Sequence, residues 1–178
     1  DSIIQFVDKD YDGLNIISAS NLNSDRYFIF RNSDKHTVSE DFAITAEGSL
    51  HIQGIQGGGI ISEIDADNHS LFNLSNDTKL YLSDVKLTGT EDLIYVNSPK
   101  ADVNLSNVII DGNINGPKAF NINISGENST INGTVQNART TLNSGSLTFN
   151  EDTFAKNDSL ILANGNVNLS NGKIEDYR

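Results

Sequence analysis

The chain contains no cysteine, methionine or tryptophan, and only 2 of its 178 residues are proline. The lack of cysteine excludes disulfides, thiolate catalysis and cysteine-ligated zinc. No apolar run of about 18 residues occurs, so the sequence predicts no membrane-spanning helix. Because methionine is missing even at position 1, we expect a mature or excised piece whose initiating end has been removed.

Basic residues are also scarce. There are 12 Lys and Arg residues against 24 Asp and Glu residues, which gives a formal net charge of −12. Binding to nucleic acid needs clustered cations that neutralise phosphates, and attraction to anionic lipid needs them too. We therefore expect no nucleic-acid partner and no membrane insertion by this segment.

Asparagine, isoleucine and serine are abundant, with 24, 20 and 19 residues respectively. Asn and Ser are poor residues for a helix interior because their side chains compete for backbone hydrogen bonds. Ile suits a pleated, half-buried surface. The composition therefore predicts an all-β chain in which polar turns join many short strands.

One apolar pattern recurs along the chain. Two apolar residues are separated by one residue, two further residues follow, and a second pair of apolar residues is again separated by one residue. Its copies are Leu80, Leu82, Val85 and Leu87; Val103, Leu105, Val108 and Ile110; and Val167, Leu169, Gly172 and Ile174, where Gly replaces one apolar residue. The interruption reverses the side-chain parity, so both pairs face inward only if the chain bends there. The intervening Ser-Asp and Ser-Asn pairs support a bend, since Asn tolerates left-handed backbone.

The copies and further apolar pairs recur with a period of about 20 to 23 residues, which is typical of a solenoid. The pattern predicts a parallel β-helix of about seven or eight turns, with an antiparallel sandwich as the alternative. Residues 46–178 carry the turns. Residues 1–45 fit the repeat poorly, and we interpret them as an N-terminal cap of the same domain. The last motif is complete at the end of the chain, so we expect a truncated C-terminus with further turns beyond it.

A longer motif lies within residues 48–89, which read GSLHIQGIQGGGIISEIDADNHSLFNLSNDTKLYLSDVKLTG. A short strand pattern is followed by a glycine run, Ile-Asp, a polar turn with His, and the Leu-x-Leu-x-x-Val-x-Leu-x-Gly segment. This stretch resembles the right-handed parallel β-helix of bacterial autotransporter passengers and polymorphic outer-membrane adhesins. The lack of cysteine is consistent with a passenger that crosses an oxidising periplasm unfolded.

The resemblance implies a non-enzymatic adhesin or passenger segment of a secreted bacterial protein. Such a segment is exposed at the cell surface and anchored through parts of the gene product outside this chain. Its partners would be a cell-surface glycan or protein bound along the side of the solenoid, or copies of itself on other cells. Two alternatives stay open: a polysaccharide-degrading lyase or hydrolase, and a structural stalk without a ligand.

Asp65, Asp67 and His69 form a compact group of carboxylates and imidazole that could serve as acid and base in an enzyme of this fold. Such an enzyme also needs basic residues or further carboxylates on neighbouring turns, and the predicted register places none there. We therefore favour a structural turn and predict no catalytic residue.

Asp8, Asp10 and Asp12, followed by Gly13, match the front half of a calcium-binding loop. The twelfth residue of that loop is Ala19, where a bidentate Glu is required. A solvated turn is the favoured interpretation, and calcium bound by the three aspartates is the alternative. The sequence predicts no other cofactor.

Nine asparagines lie in N-x-[ST] sequences. They are Asn68, Asn73, Asn76, Asn104, Asn123, Asn128, Asn132, Asn157 and Asn168. Several belong to the recurring Asn-Leu-Ser turn, so we favour stacked amide side chains that bond from turn to turn over glycosylation.

Overall fold

The computed structural model describes residues 2–7, 25–31, 35–37, 42–44, 48–55, 60, 62–75, 77–150, 152–154 and 159–169. Within these ranges there is no α-helix, and the predicted all-β class is confirmed. The strands are β1 (Ser2–Val7), β2 (Asp25–Phe30), β3 (Lys35–Thr37), β4 (Phe42–Ile44), β5 (Gly48–Gln53), β6 (Ser62–Asp65), β7 (Phe72–Leu74), β8 (Thr78–Ser83), β9 (Val85–Val96), β10 (Asp102–Ser106), β11 (Ile109–Asn115), β12 (Phe120–Ser125), β13 (Asn128–Ile131), β14 (Ala138–Leu142), β15 (Ser146–Phe149), β16 (Ser159–Leu162) and β17 (Asn166–Leu169).

The strands form two parallel sheets. The first sheet has the order β1-β2-β5-β8-β10-β12-β14-β16, and the second has the order β3-β6-β9-β11-β13-β15-β17. Strands β4 and β7 extend the second sheet alongside the end of the long strand β9. From β7 onward, successive strands alternate between the second and the first sheet, while β6 and β7 follow each other in the second. Parallel neighbours cannot be joined by a tight hairpin, so each connection passes through the opposite sheet.

The first two copies of the repeat pair as the sequence predicts. Leu80 lies opposite Val103, and Leu82 lies opposite Leu105, in the first sheet. The later pair of each copy meets in the second sheet, where Ile110 is the partner of Leu87. The same apolar spacing thus supplies one strand to each sheet.

The alignment of the third copy is wrong. Val167 lies in β17 of the second sheet, opposite Leu147, and therefore corresponds to the second half of the repeat. Both halves of the repeat have two apolar residues two apart, so the spacing alone does not distinguish them. Residues 170–178, which hold the rest of this copy, lie outside the described part of the chain.

The predicted bend between the two sheets is confirmed. Asp84 and Asn107 have left-handed backbone, with φ of 54° and 53°. The N–H of Asp84 donates to the carbonyl of Ser106, 3.1 Å away, so successive corners are hydrogen-bonded. Gly126 occupies the same corner one strand further on, with φ of 85°, a conformation that glycine adopts without steric cost.

Inward-facing side chains of the two sheets form one apolar cluster. All eight residues of the first two repeat copies are buried in it. Val167 packs against the cluster and is partly buried, and the side chain of Leu169 lies outside the described part. Because neighbouring residues of a strand point to opposite faces, the same pairing that stacks the core also stacks an outer row of side chains.

Strand β1 pairs with β2, and β2 pairs with β5, so residues before 45 contribute to the first sheet. The boundary between a cap and the regular turns stays a prediction.

Candidate binding face

The outer surface of the first sheet carries a continuous row of side chains, which we call the central outer row. It comprises Tyr27, His51, Tyr81, Asn104, Asn123 and Thr141, each the register partner of the next. Each member comes from a separate strand, β2, β5, β8, β10, β12 and β14. The row therefore exists only in the folded chain.

Three rings stack at one end of the central outer row. The centroids of Tyr27 and His51 are 4.0 Å apart, with an interplanar angle of 12°. The centroids of His51 and Tyr81 are 4.4 Å apart, with an angle of 4°. Parallel pairing holds side chains on adjacent strands about 4.8 Å apart, so flat rings at matched positions stack face to face.

A polar network fixes the middle ring of the stack. The hydroxyl of Ser49 donates to Oδ1 of Asp25 at 2.6 Å and lies 2.9 Å from Nε2 of His51. Since the Ser49 proton goes to Asp25, the serine oxygen accepts from the Nε2–H of His51. A nucleophilic triad needs the opposite arrangement, with histidine taking the serine proton. The network therefore orients the ring and does not activate Ser49.

The surroundings of His51 favour the neutral form of its imidazole. Burial between the tyrosine rings lowers the pKa of His51 below its ordinary value, and the negative charge of Asp25 opposes that shift. The stacked rings thus form an uncharged surface near neutral pH.

Beyond Tyr81, the central outer row changes from rings to amides. Asn104 donates through Nδ2 to Oδ1 of Asp102 at 2.9 Å and to the carbonyl of Leu80 at 3.3 Å. Asn123 donates through its own Nδ2 to Oδ1 of Asn104 at 3.3 Å. This contact confirms the predicted amide ladder for one pair of asparagines.

Other asparagines bond between strands with different partners. Nδ2 of Asn132 donates to Asp111, and the hydroxyl of Ser146 donates to Asn128. Oδ1 of Asn107 accepts the backbone N–H of Glu127 at 2.7 Å, just before β13, and that of Asn128 at 3.2 Å. The asparagine side chains therefore connect neighbouring strands through hydrogen bonds with amide, carboxylate, hydroxyl and backbone groups, and not with other amides alone.

An open groove of about 330 Å³ runs across the strands beside Tyr81. Asn104 and Asn123 line it from the central outer row. A parallel row of hydroxyls, Ser83, Ser106 and Ser125, lines it two residues further along the strands. Its volume is at the lower end of the range for small-ligand sites, about 300–1,000 Å³.

Asp65, Asp67 and His69 lie at a turn, as predicted. Oδ1 of Asp65 accepts the N–H of Asp67 at 2.8 Å, and the N–H of His69 donates to the carbonyl of Ala66 at 2.8 Å. Asp67 has left-handed backbone, with φ of 53°. These contacts are those of a tight turn that follows strand β6.

The pKa of Asp65 is also shifted in the direction opposite to that of the general acid in a glycoside hydrolase. The N–H of Asp67 and the ammonium of Lys35, 3.1 Å from Oδ2, lower the pKa of Asp65 below its ordinary value. A general acid in glycoside hydrolysis needs a raised pKa. Asp65 is therefore suited to an ion pair and a turn.

The calcium hypothesis for Asp8, Asp10 and Asp12 concerns residues outside the described part of the chain. Among the described residues, no group of three or more His, Asp and Glu side chains is placed to hold a metal ion. In the same residues, no helix is long and apolar enough to cross a membrane.

Sequence reasoning missed the ring stack and the groove. Tyr27, His51 and Tyr81 are separated by 24 and then 30 residues, which departs from the period of about 20 to 23 that guided the search. Outward-facing residues also have no periodic hydrophobic signal. Alternation of the polar His51 and Gln53 with the apolar Leu50 and Ile52 could have placed His51 on an outer face.

Comparisons of the chain with protein-family models, curated proteins and solved structures found no match.

Proposed function

We propose that this chain is a right-handed parallel β-helix and a non-enzymatic binding segment of a bacterial surface passenger. The strand order supports the β-helix, because each sheet grows by one parallel strand every time the chain returns to it. Crossover connections between parallel strands of one sheet are right-handed in nearly all proteins. A stack of this kind forms a long, rigid side along which a partner can bind.

The observation that carries the binding role is the stack of Tyr27, His51 and Tyr81 beside the groove. Tyr81 exposes 36% of its surface although it is a large aromatic residue. Aromatic side chains are enriched at binding surfaces because they supply large contact area at a small entropic cost. A stalk without a ligand has no need for an ordered row of rings on its outer face.

A cell-surface glycan or protein is the proposed partner, and contact between copies on neighbouring cells is the other form that adhesion could take. The lowered pKa of Asp65 does not suit a general acid, and the proton arrangement around Ser49 does not suit a serine nucleophile, which supports a binding role. Attachment of the purified chain to cells tests this proposal directly.

Beads coated with the chain would be counted on cultured epithelial cells and on beads coated with the same chain. In one variant, Tyr27→Ser, His51→Ser and Tyr81→Ser are combined, and we expect it to lose most attachment. The matched control combines Lys86→Ser with Tyr95→Ser on the second sheet and should attach like the original chain. Equal attachment of all three proteins, or none by the original chain, would contradict an adhesive role for this face.

A further inference from the structure

The ring stack ends at Tyr81, and its last face is directed at the groove. His51 covers one face of the Tyr81 ring at a centroid distance of 4.4 Å. Strand β8 lies between β5 and β10, so the opposite face of the ring points along the central outer row toward Asn104. Tyr81 also lines the groove. The uncovered face of Tyr81 therefore gives the groove a flat aromatic wall beside Asn104.

The floor of the groove is polar and hydrogen-bonding. Amides carry both donors and acceptors, and hydroxyls do the same. Asn123 donates to Asn104, while its carbonyl oxygen accepts no hydrogen bond from a described residue. Ser106 and Ser125 add hydroxyls on neighbouring strands. A ligand with many hydroxyl groups matches this surface, because each hydroxyl can both donate and accept.

Charge selects among such ligands. The described side chains that line the groove are amides, hydroxyls and aromatic rings, and burial lowers the pKa of His51, which favours its neutral form. The whole chain has a formal net charge of −12. A polyanion would therefore meet repulsion at long range and no cation in the groove to offset it. An uncharged ligand meets neither obstacle.

From these features we infer that the groove beside Tyr81 is a subsite for an uncharged glycan. One sugar ring packs its apolar face on the free face of Tyr81, and its hydroxyl groups bond to Asn104 and Asn123. The inference rests on the proposed binding function and specifies the class of ligand for the same face. It assigns separate roles to the ring, which supplies contact area, and to the amides, which fix orientation.

The test is titration of the purified chain with soluble, uncharged tetrasaccharides of glucose, mannose and N-acetylglucosamine, with binding followed by calorimetry. Polygalacturonate serves as the acidic counterpart. At least one uncharged glycan should bind more tightly than polygalacturonate. Tyr81→Ala should weaken that binding about tenfold, a loss of the size expected for one aromatic contact.

Two further variants distinguish the loss of a sugar contact with the Tyr81 ring from a general loss of folded structure. Tyr81→Phe keeps the ring and should retain the affinity of the original chain. Tyr95→Ala removes a tyrosine from the second sheet and should leave the affinity unchanged. All variants should fold with a cooperative thermal transition. Tyr81→Ala should lower the thermal midpoint slightly because it removes the ring stacked on His51, whereas Tyr81→Phe should keep the midpoint of the original chain.

Four results would overturn the inference. One is uncharged-glycan binding that Tyr81→Ala leaves unchanged, and another is tighter binding of polygalacturonate. The third is attachment of coated beads to cells without binding of any uncharged glycan, which would leave the adhesive function standing with a protein or another chemistry as its ligand. If the chain neither attaches to cells nor binds any of the glycans, the adhesive function fails and the subsite fails with it.

Discussion

The imidazole of His51 lies flat against the phenol ring of Tyr81, with centroids 4.4 Å apart and ring planes within 4° of parallel. This contact joins two strands that the chain reaches 30 residues apart. It also buries a titratable group in the outer surface of the first sheet. The pH dependence of folding should therefore report on the stack.

We expect His51 to lose its stabilising contribution in mild acid. Burial lowers the pKa of His51 in the folded chain below its ordinary value of about 6.5, so the unfolded chain binds a proton more readily. The contribution is complete above about pH 6.5 and is lost as pH falls through the folded-state pKa. His51→Phe keeps a ring in the stack but does not titrate. Urea unfolding of both proteins between pH 4 and 8 measures the difference, and an NMR-determined pKa of His51 at or above 6.5 would contradict it.

Asp84→Asn should stabilise the chain at pH 7. Burial at the corner raises the pKa of Asp84, Glu127 adds to that rise, and a hydrogen bond with Asn107 opposes it. Because the folded-state pKa is raised, stability is lost as pH rises through the unfolded and then the folded pKa. The advantage of Asn should thus be largest at neutral pH and should vanish in acid. Asp77→Asn, at an exposed position, serves as the control. Equal effects of both variants at pH 7 would argue against this account of the corner.

Thr140→Val should raise the free energy of unfolding by about 1 kcal/mol. Thr140 is fully buried in the core, and its hydroxyl makes no hydrogen bond within the described part of the chain. Valine has nearly the same shape and removes the cost of burying that hydroxyl. Thr141→Val on the outer face of the same strand is the matched control and should change stability little. Urea denaturation decides the matter, and a destabilised Thr140→Val would show that the hydroxyl has a partner.

Leu105→Asp should prevent folding. Leu105 is 1% exposed in the apolar core, and a carboxylate there would be buried without a partner. Asn121→Asp introduces the same charge on the outer face, next to the guanidinium of Arg139, 2.9 Å away, and should fold normally. Circular dichroism and gel filtration compare the two. A soluble Leu105→Asp variant with a cooperative unfolding transition would contradict the register of β10.

The sequence predicted the interior of this fold better than its surface. The spacing of Leu80, Leu82, Val85 and Leu87 identified both a buried pair for each sheet and the bend between them. Inward-facing positions are mostly apolar from strand to strand, so they leave a periodic signal. That signal could not assign Val167 to the correct sheet, because both sheets use the same two-residue alternation.

The candidate site was not predictable in the same way. An outer row needs no particular residue type for folding, so Tyr27, His51 and Tyr81 carry no repeating pattern. Connections of unequal length between the strands also change the separation of stacked residues from turn to turn. The pairing of His51 with Tyr81 follows from the register of β5 and β8. That register is determined by the packing of the buried side chains and not by the outer residues.

The groove and the central outer row exist only if β8, β10 and β12 are adjacent in the stated register. The chain has no cysteine, so paired substitutions can measure this directly. Ser106 and Ser125 are register partners on adjacent strands, whereas Ser83 and Ser125 are separated by β10. Neighbouring parallel strands lie about 4.8 Å apart, within the range of Cα distances that a disulfide spans, and strands two apart do not.

The measurement is disulfide formation in dilute, folded protein, followed by counting the remaining free thiols. Ser106→Cys combined with Ser125→Cys should oxidise to an intramolecular disulfide. Ser83→Cys combined with Ser125→Cys should keep both thiols free. Rapid cross-linking of the second pair, or failure of the first pair in a folded protein, would contradict the stacked register and with it the binding face.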